Sequence, residues 1–290
     1  MKYFRFIAIL WLIMVFLAKG NSQPQQIILQ PKDLQISENQ LGEASEIIRK
    51  RLDKTGLKVI SLDLRGREKM LEITIADGHR SKSDELLLTL QGDLQFRETV
   101  DRMDFLNRIP EDDPMRAYLL SNSNEELREF QGGNAILAEI DVENQTIVQA
   151  HLDRLRKSGY MHDLQVFFGF PDAADKLRLY CLLNQDRFSL DRDDIAEINL
   201  ISKRNDSGTD ISLTFTDKGA QIWTKMTAQN LGRMIAVTMD GRVLMAPRVV
   251  EKLTGGKLQI TGIWEDRGDQ VLYTILTTDL LPTAFEIAYE

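Results

Sequence analysis

The sequence predicts an α+β protein in which two ferredoxin-like (split βαβ) halves form a base that carries an inserted α+β domain. Three observations lead to this fold class. A β-α-β-β-α-β order of elements occupies residues 24–100, and nearly the same order returns in residues 195–290. The stretch between them, residues 101–194, has a different pattern.

In the first half, strands follow from apolar runs or from alternation, and helices from apolar residues spaced three or four positions apart. Gly56 stands where the C-cap glycine of a helix is expected. The predicted elements, in chain order, are a strand over residues 26–29, a helix over 43–55, strands over 57–64 and 70–75, a helix over 83–90 and a strand over 93–98.

The second half contains Asp240 and Gly241, a dipeptide strongly favoured in two-residue type I′ hairpin turns. No sequence identity to the first half is visible, so the two ends resemble each other in architecture alone. The predicted elements are strands over residues 195–202 and 211–215, a helix over 217–231, strands over 234–239, 243–246 and 258–261, a helix over 265–277 and a strand over 284–288.

The middle stretch opens with a polar, loop-rich segment and is broken again by Gly132 and Gly133. Regular elements return only after this break, which indicates a small inserted domain over residues 101–194. Its predicted elements are a strand over residues 135–140, a helix over 144–158 and strands over 164–170 and 176–183.

Composition and charge narrow the class of protein. Of the 290 residues, 43% are hydrophobic and 28% are charged, which is typical of a globular protein, and the formal net charge is −8. An acidic chain without a basic patch excludes nucleic acid as a partner. Cys181 is the only cysteine, so no intramolecular disulfide forms, and its apolar surroundings predict a buried strand.

The N-terminus has the order of a secretory signal peptide. Lys2 and Arg5 precede an uncharged run over residues 6–18, which Lys19 and Gly20 close. A spanning helix needs about 20 apolar residues, so this run is short for one. We expect residues 1–20 to be a cleaved signal peptide, with an uncleaved membrane anchor as the alternative. No other integral membrane domain is expected.

Motifs for catalysis or for metal binding are missing from the sequence. His79, His151 and His162 have neither HxxxH nor HExxH spacing, and no cysteine accompanies them. The patterns GxSxG, GxGxxG and GxxxxGK[ST] do not occur. We therefore predict a protein that is not an enzyme, with no catalytic residues, no metal and no cofactor.

An aromatic cluster in the middle domain is the candidate binding site. Tyr160, Phe167, Phe168 and Phe170 lie close together in the sequence. Along a strand, Phe168 and Phe170 share one face and Phe167 takes the other, so a ring on one face is expected to be uncovered. The hypothesis is that these four residues bind polypeptide; the alternative is that they belong to the core.

Several motifs stand out in the second half of the sequence. They are ISLTFTDKGA from Ile211, Asn230-Leu231-Gly232, IAVTMDGRVLMAP from Ile235, Ile260-Thr261-Gly262 and Leu280-Leu281-Pro282. Together they resemble the first large periplasmic domain of SecD, a subunit of the SecDF protein-export complex. The segment over residues 44–97, with IIRKRLDKTGL and LQFRE, is similar to the start of the same domain.

The resemblance implies a membrane-proximal base and an inserted head that contacts the exported polypeptide, with residues 101–194 in the place of the head. Where SecD would enter its membrane helices, after Pro282, this sequence ends at Glu290. The charged residues that couple proton flow to export in that family lie in those helices. The resemblance therefore implies a stand-alone domain without its own proton-coupled motor.

The expected function is that of an exported SecD-like domain that binds unfolded or exported polypeptides, or acts as an accessory of the translocon. It is expected in the periplasm, free or anchored to the inner membrane by residues 6–18. Capture by the middle domain would involve a hinge near Asp101 and Asp194. The alternative is a structural or interaction module of the cell envelope with no export role.

Overall fold

The computed structural model describes residues 24–66, 68–76, 81–122, 133–185, 187–202, 209–261 and 267–288. The expected signal peptide, residues 1–20, lies outside these ranges. Within them the chain forms helices and four small sheets, which confirms the mixed α and β class.

Strands β1 to β13 and helices α1 to α7 follow one another along the chain, with 3-10 turns at Val142–Asn144 and Arg192–Asp194. The strands are β1 (Gln25–Pro31), β2 (Val59–Arg65), β3 (Met70–Ile75), β4 (Leu94–Glu98), β5 (Ile136–Asp141), β6 (Leu164–Phe168), β7 (Lys176–Leu183), β8 (Ile195–Ser202), β9 (Thr209–Phe215), β10 (Ile235–Met239), β11 (Arg242–Met245), β12 (Lys257–Ile260) and β13 (Phe285–Ala288). The helices are α1 (Glu38–Thr55), α2 (Lys82–Thr89), α3 (Arg102–Leu106), α4 (Pro114–Ser121), α5 (Gln145–Lys157), α6 (Asp217–Gln229) and α7 (Gly268–Leu276).

Two of these helices, α3 and α4, occupy the segment that the sequence predicted as loop-rich. Each begins at an aspartate whose carboxylate accepts a hydrogen bond from the backbone two residues later, Asp101 from Met103 and Asp113 from Met115. These caps satisfy backbone donors at the helix start, and they allow short helices to form in a polar stretch.

The first sheet has the strand order β13-β1-β3-β2, and all its pairs are antiparallel. At its centre, Ile28 of β1 lies opposite Glu72 on one side and Ala288 on the other. The sequence order suggested β4 as the fourth strand of this sheet, but that strand pairs with β10. The N-terminal sheet is therefore completed by the distant strand β13.

The turn between β10 and β11 explains why β4 lies beside β10. The Asp240 carboxylate accepts hydrogen bonds from the backbone N–H groups of Gly92 (3.1 Å) and Asp93 (2.8 Å), immediately before β4. Burial raises the pKa of Asp240. Asp240 and Gly241 have φ angles of 51° and 75°, as the predicted type I′ turn requires. The same turn thus joins two strands and fixes a third beside them.

One hydrophobic core serves the whole base. It runs from the first sheet through the β11-β10-β4 sheet to the β12-β9-β8 sheet, and helices α1, α2, α6 and α7 contribute to it. At its centre the rings of Phe96, Phe215 and Trp223 meet with centroid distances of 5.2 to 5.9 Å. Because these residues come from both ends of the chain, the two sequence halves fold as one packed unit.

The middle of the chain has a core of its own. Its sheet has the order β5-β7-β6, and helices α3, α4 and α5 cover one face. Cys181 of β7 is buried in this core, which confirms the sequence-based prediction, and burial raises the pKa of its thiol. A raised pKa keeps the thiol protonated and unreactive at neutral pH.

The second face of that sheet rests on the β10–β11 hairpin. Phe167, Tyr180 and neighbouring apolar residues pack against Ala236 and Val243 of the base. The Arg97 guanidinium lies 5.3 Å from the centre of the Phe167 ring and donates a hydrogen bond to Leu183 O at 2.9 Å. The middle sheet is therefore covered on both faces.

Two arginines, Arg51, which is buried, and Arg192, which is half-buried, bind the C-terminal ends of α2 and α7. Arg51 is 0% exposed and donates hydrogen bonds to the carbonyls of Leu87 (3.0 Å) and Leu90 (2.6 Å). Arg192 donates to the carbonyls of Leu276 (2.9 Å) and Thr278. Burial lowers the pKa of Arg51 to about 10, so it stays charged at neutral pH and opposes the negative end of each helix dipole.

Replacing Arg51 should destabilise the base more than the loss of side-chain packing alone would. Arg51→Met leaves several buried carbonyls without donors, so we expect the free energy of unfolding to fall by about 3 kcal/mol or more. Arg49→Met, on an exposed position of the same helix, should change it by less than about 0.5 kcal/mol. Urea denaturation of the two variants measures both values; equal stabilities would contradict the assigned role.

Glu98, at the end of β4, links this strand to Arg187 and to Asn230, which follows α6. Its carboxylate accepts hydrogen bonds from the Arg187 backbone N–H (3.0 Å), from the Arg187 guanidinium and from Asn230 Nδ2 (3.0 Å). Burial alone would raise the pKa of Glu98, but these hydrogen bonds outweigh it and lower the pKa from the usual 4.5. The ionised form is therefore the one that the fold stabilises.

The lowered pKa of Glu98 predicts a loss of stability in acid. The contribution of the carboxylate is complete above its unfolded-state pKa of 4.5 and disappears as the pH falls through the lower folded-state value. Glu98→Gln should cost about 2 kcal/mol at pH 7 and weaken the acid sensitivity below pH 4.5, whereas Glu46→Gln on the surface of α1 should change neither. Urea denaturation from pH 3 to 7 provides the comparison, and an unchanged profile for Glu98→Gln would count against it.

Candidate functional site

The four aromatic residues predicted to bind polypeptide do not form one surface. Phe167 is 8% exposed and packs against the base, and Phe168 is 6% exposed and lies in the core of the middle domain. The expectation of an uncovered ring at these two positions is wrong, because the sheet that carries them is covered on both faces. The alternative reading, that they are core residues, holds for both.

The other two aromatic residues are at least partly accessible, in different places. Tyr160 is 40% exposed in the turn that follows α5. Strand β6 ends at Phe168, so Phe170 does not continue its alternation; it packs against the edge of the base core and lines a cleft. The Arg242 guanidinium lies 6.0 Å from the centre of its ring. Binding of polypeptide by Tyr160 and Phe170 stays a prediction.

The cleft beside Phe170 has a volume of about 1130 Å³ and opens between the base and the middle domain. One wall is formed by α2 and β13, and the other by the turn between β6 and β7 together with β11. Its apolar lining includes Leu86 from α2, Phe170 and Pro171 from the middle domain, Leu244 from β11 and Ile287 from β13.

Charged side chains surround the cleft in equal numbers of each sign. Lys82 on the base and Asp175 on the middle domain form an ion pair of 2.6 Å between the two walls. Lys176 and Arg178 are each paired with an acid of β5, Asp141 and Glu139. The basic residues in the lining are Lys32, Lys82, Lys176 and Arg178, and the acidic residues are Glu85, Asp172, Asp175 and Glu286. The cleft therefore favours neither anions nor cations.

Strand β13 presents an edge to this cleft, because among the described strands β1 is the one that pairs with it, and it does so on one side. Phe285, Glu286 and Ile287 of this strand all line the cleft. Sequence motifs did not predict this feature, because α2 and β13, which form one wall together, are nearly 200 residues apart in the chain. The signal that was available is the predicted closing strand over residues 284–288, which becomes an edge once it joins the first sheet.

Neither a metal-binding cluster nor a membrane-spanning segment emerges from the described part of the chain. In those ranges, no three His, Cys, Asp or Glu side chains are grouped so that they could hold a metal ion. No helix within the same ranges has the length and apolar character needed to cross a membrane.

Comparison with known proteins bears on the second half of the chain. The family profile described as "SecDF, P1 head subdomain" matches residues 170–283. Residues 170–283 are similar to the SecDF P1 head. This range contains the motifs from Ile211 to Pro282 on which the resemblance to SecD was based, and the resemblance is confirmed.

Curated relatives agree with this match. The chain is 42% identical over 77 residues to the protein translocase subunit SecD of Acidaminococcus fermentans, an alignment that covers 27% of this chain and 18% of the relative. It is 35% identical over 78 residues to the protein translocase subunit SecDF of Thermus thermophilus, covering 27% of this chain and 11% of the relative. The aligned segments thus span less than a fifth of these relatives.

Among solved structures, a crystal structure of SecDF in its super-membrane-facing form is similar over 98% of this chain and 34% of the other, with a TM-score of 0.51 and 19% identity. At this identity the similarity concerns the fold alone. It extends the likeness to SecDF from residues 170–283 to nearly the whole chain.

The range matched by the P1 head profile differs from the range in which we expected the head. The two ranges share only residues 170–194, and the match continues through β8 to β12, α6 and α7. Strand β7, β11 and all of the β6–β7 turn except Gly169 are inside the matched range, whereas α2 and β13 are outside it. The cleft therefore lies where the matched range meets α2, which precedes it, and β13, which follows it.

Substitution of Phe168 and of Tyr160 should show which of the two is a core residue and which lies on the surface. Phe168→Ala removes a buried ring and should lower the free energy of unfolding by about 3 to 5 kcal/mol. Tyr160→Ala, at an exposed turn, should lower it by less than about 1 kcal/mol. Guanidinium denaturation followed by far-UV circular dichroism, which reports on the helices of both domains, gives both values. A small effect for Phe168→Ala would place that ring on the surface after all.

Proposed function

We propose that this chain acts in protein export as a SecD-like domain that binds polypeptides in transit and performs no catalysis. The observation that carries the proposal is the match of residues 170–283 to the SecDF P1 head, because the relatives that share this similarity are named as protein translocase subunits. On this proposal the protein acts in the periplasm, next to the membrane, and its partners are exported polypeptides and the translocon.

The cleft is the surface that suits such a partner best. An unfolded chain offers apolar side chains and backbone groups without partners, so a receptor needs apolar surface and a free strand edge. The cleft provides apolar surface at Leu86 and Phe170 and an edge at β13. Its balanced charge suits polypeptides of varied sequence. Binding would therefore be weak and tolerant of sequence.

Release of the polypeptide would follow from movement of the middle domain against the base. The apolar contact between them involves few residues, Phe167 among them. The Lys82–Asp175 pair that joins the walls is exposed, and exposed ion pairs contribute little to stability. Rotation near Asp101 and Asp194 would widen the cleft at low energetic cost.

Site-specific photocrosslinking tests the proposal. A benzophenone amino acid at Glu286, in the cleft, should crosslink to reduced and carboxymethylated α-lactalbumin, which is permanently unfolded. The same amino acid at Ile60, exposed on the opposite edge of the same sheet, serves as the matched control and should crosslink at most weakly. Native α-lactalbumin should crosslink at neither position.

Three results would contradict the proposal. Absence of crosslinks from both positions would show that the chain does not bind unfolded polypeptide. Equal yields at both positions would show contact without a site. Equal yields with native and unfolded α-lactalbumin would show that the unfolded state is not what the protein recognises.

A further inference from the structure

We propose that an extended polypeptide segment binds in the cleft by adding a strand to β13. This inference rests on the proposed function and specifies how the polypeptide is held: backbone hydrogen bonds to one strand edge provide the contact, and the side chains of the segment contribute little selectivity.

The backbone of β13 determines which groups face the cleft. The Lys32 N–H donates to Ala284 O at 2.9 Å, just before β13 begins, and Pro31 lies opposite Phe285. In an antiparallel ladder, alternate residues direct both backbone groups toward the same neighbour. Ala284 and Glu286 therefore face β1, while Phe285 and Ile287 direct their N–H and C=O groups away from it, toward the cleft.

These outward groups match an extended chain in spacing and number. Two positions on one side of a strand are about 6.6 Å apart, which is the repeat of a partner strand. Phe285 and Ile287 together offer two donors and two acceptors. A short edge of this kind supports weak binding, which suits a polypeptide that must be released.

The surroundings of the edge favour a single strand over other occupants. Four acidic and four basic residues line the cleft, so an anionic ligand gains no net attraction. Gly169 and Phe170 of the middle domain line the same cleft as β13, and its volume is about 1130 Å³. Because the middle domain bounds the cleft, we expect a single extended segment to enter it more readily than the folded sheet of a second copy.

Amide hydrogen exchange on the full chain tests the inference directly. On addition of reduced and carboxymethylated α-lactalbumin in excess, the amides of Phe285 and Ile287 should exchange at least about tenfold more slowly, because they gain hydrogen bonds. The amide of Glu286, which already faces β1, serves as the internal control and should change little. Unchanged exchange at Phe285 and Ile287 in a protein that binds the probe would overturn the inference.

Substitution of Ile287 provides a second test. Ile287→Pro removes an outward N–H and keeps the ladder to β1, whereas Ile287→Thr keeps the N–H with a branched side chain of similar shape. Fluorescence anisotropy with the labelled unfolded probe should show binding weakened about tenfold by Ile287→Pro and less than about twofold by Ile287→Thr. Equal affinities for Ile287→Pro and the unchanged protein would contradict strand addition.

The two proposals fail in different ways. If the unchanged protein does not bind the probe, the proposed function fails. If it binds, but the exchange of Phe285 and Ile287 and the affinity of Ile287→Pro are unaffected, the function stands and strand addition is wrong. A dimer in size-exclusion chromatography that Ile287→Pro dissociates would also overturn the inference, because a second copy would then occupy the edge.

Discussion

The base depends on the contacts of two guanidinium groups, those of the buried Arg51 and the half-buried Arg192. Residues at the C-terminal ends of α2 and α7, among them Leu87, Leu90 and Leu276, are buried, and a buried helix end without hydrogen-bond partners would be strongly unfavourable. The two side chains supply the donors. Gly92 makes room for them, since a Cβ atom at this position would lie 2.9 Å from Ile275 Cγ2 and 3.1 Å from Arg192 Nη1.

Two contacts determine the shape of the cleft: the arginine contacts in the base, and the contact between the middle domain and the base. The arginines fix α2 beside α7, and α7 leads into β13, so one wall is set by buried polar contacts in the base. The other wall is held by the apolar contact around Phe167 and by the hydrogen bond from Arg242 to Gly169 O at 3.0 Å. A site with one wall fixed deep in a core and the other resting on a small interface is suited to opening without unfolding.

Local signals in the sequence were enough to predict most elements but not their partners. Gly56 ends α1 in the left-handed conformation, with φ of 72°, and the Asp240–Gly241 turn forms as predicted, because both depend on the residues themselves. The pairing of β1 with β13 could not be predicted in this way, since alternation shows that a strand has a buried face and not which strand lies beside it.

The same limit explains why the sequence predicted neither the burial of Phe167 and Phe168 nor the cleft beside β13. Burial of Phe168 depends on α3 and α4, which formed in a stretch whose composition indicated loops, and burial of Phe167 depends on a hairpin far along the chain. Lys82 and Ile287 face one cleft only because β13 joins the first sheet.

The pairing of Ile28 with Ala288 also affects the timing of folding. As the chain is synthesised, β1 emerges long before β13, so the edge of β1 that pairs with β13 stays without a neighbour until late. Contacts of such long sequence separation form slowly.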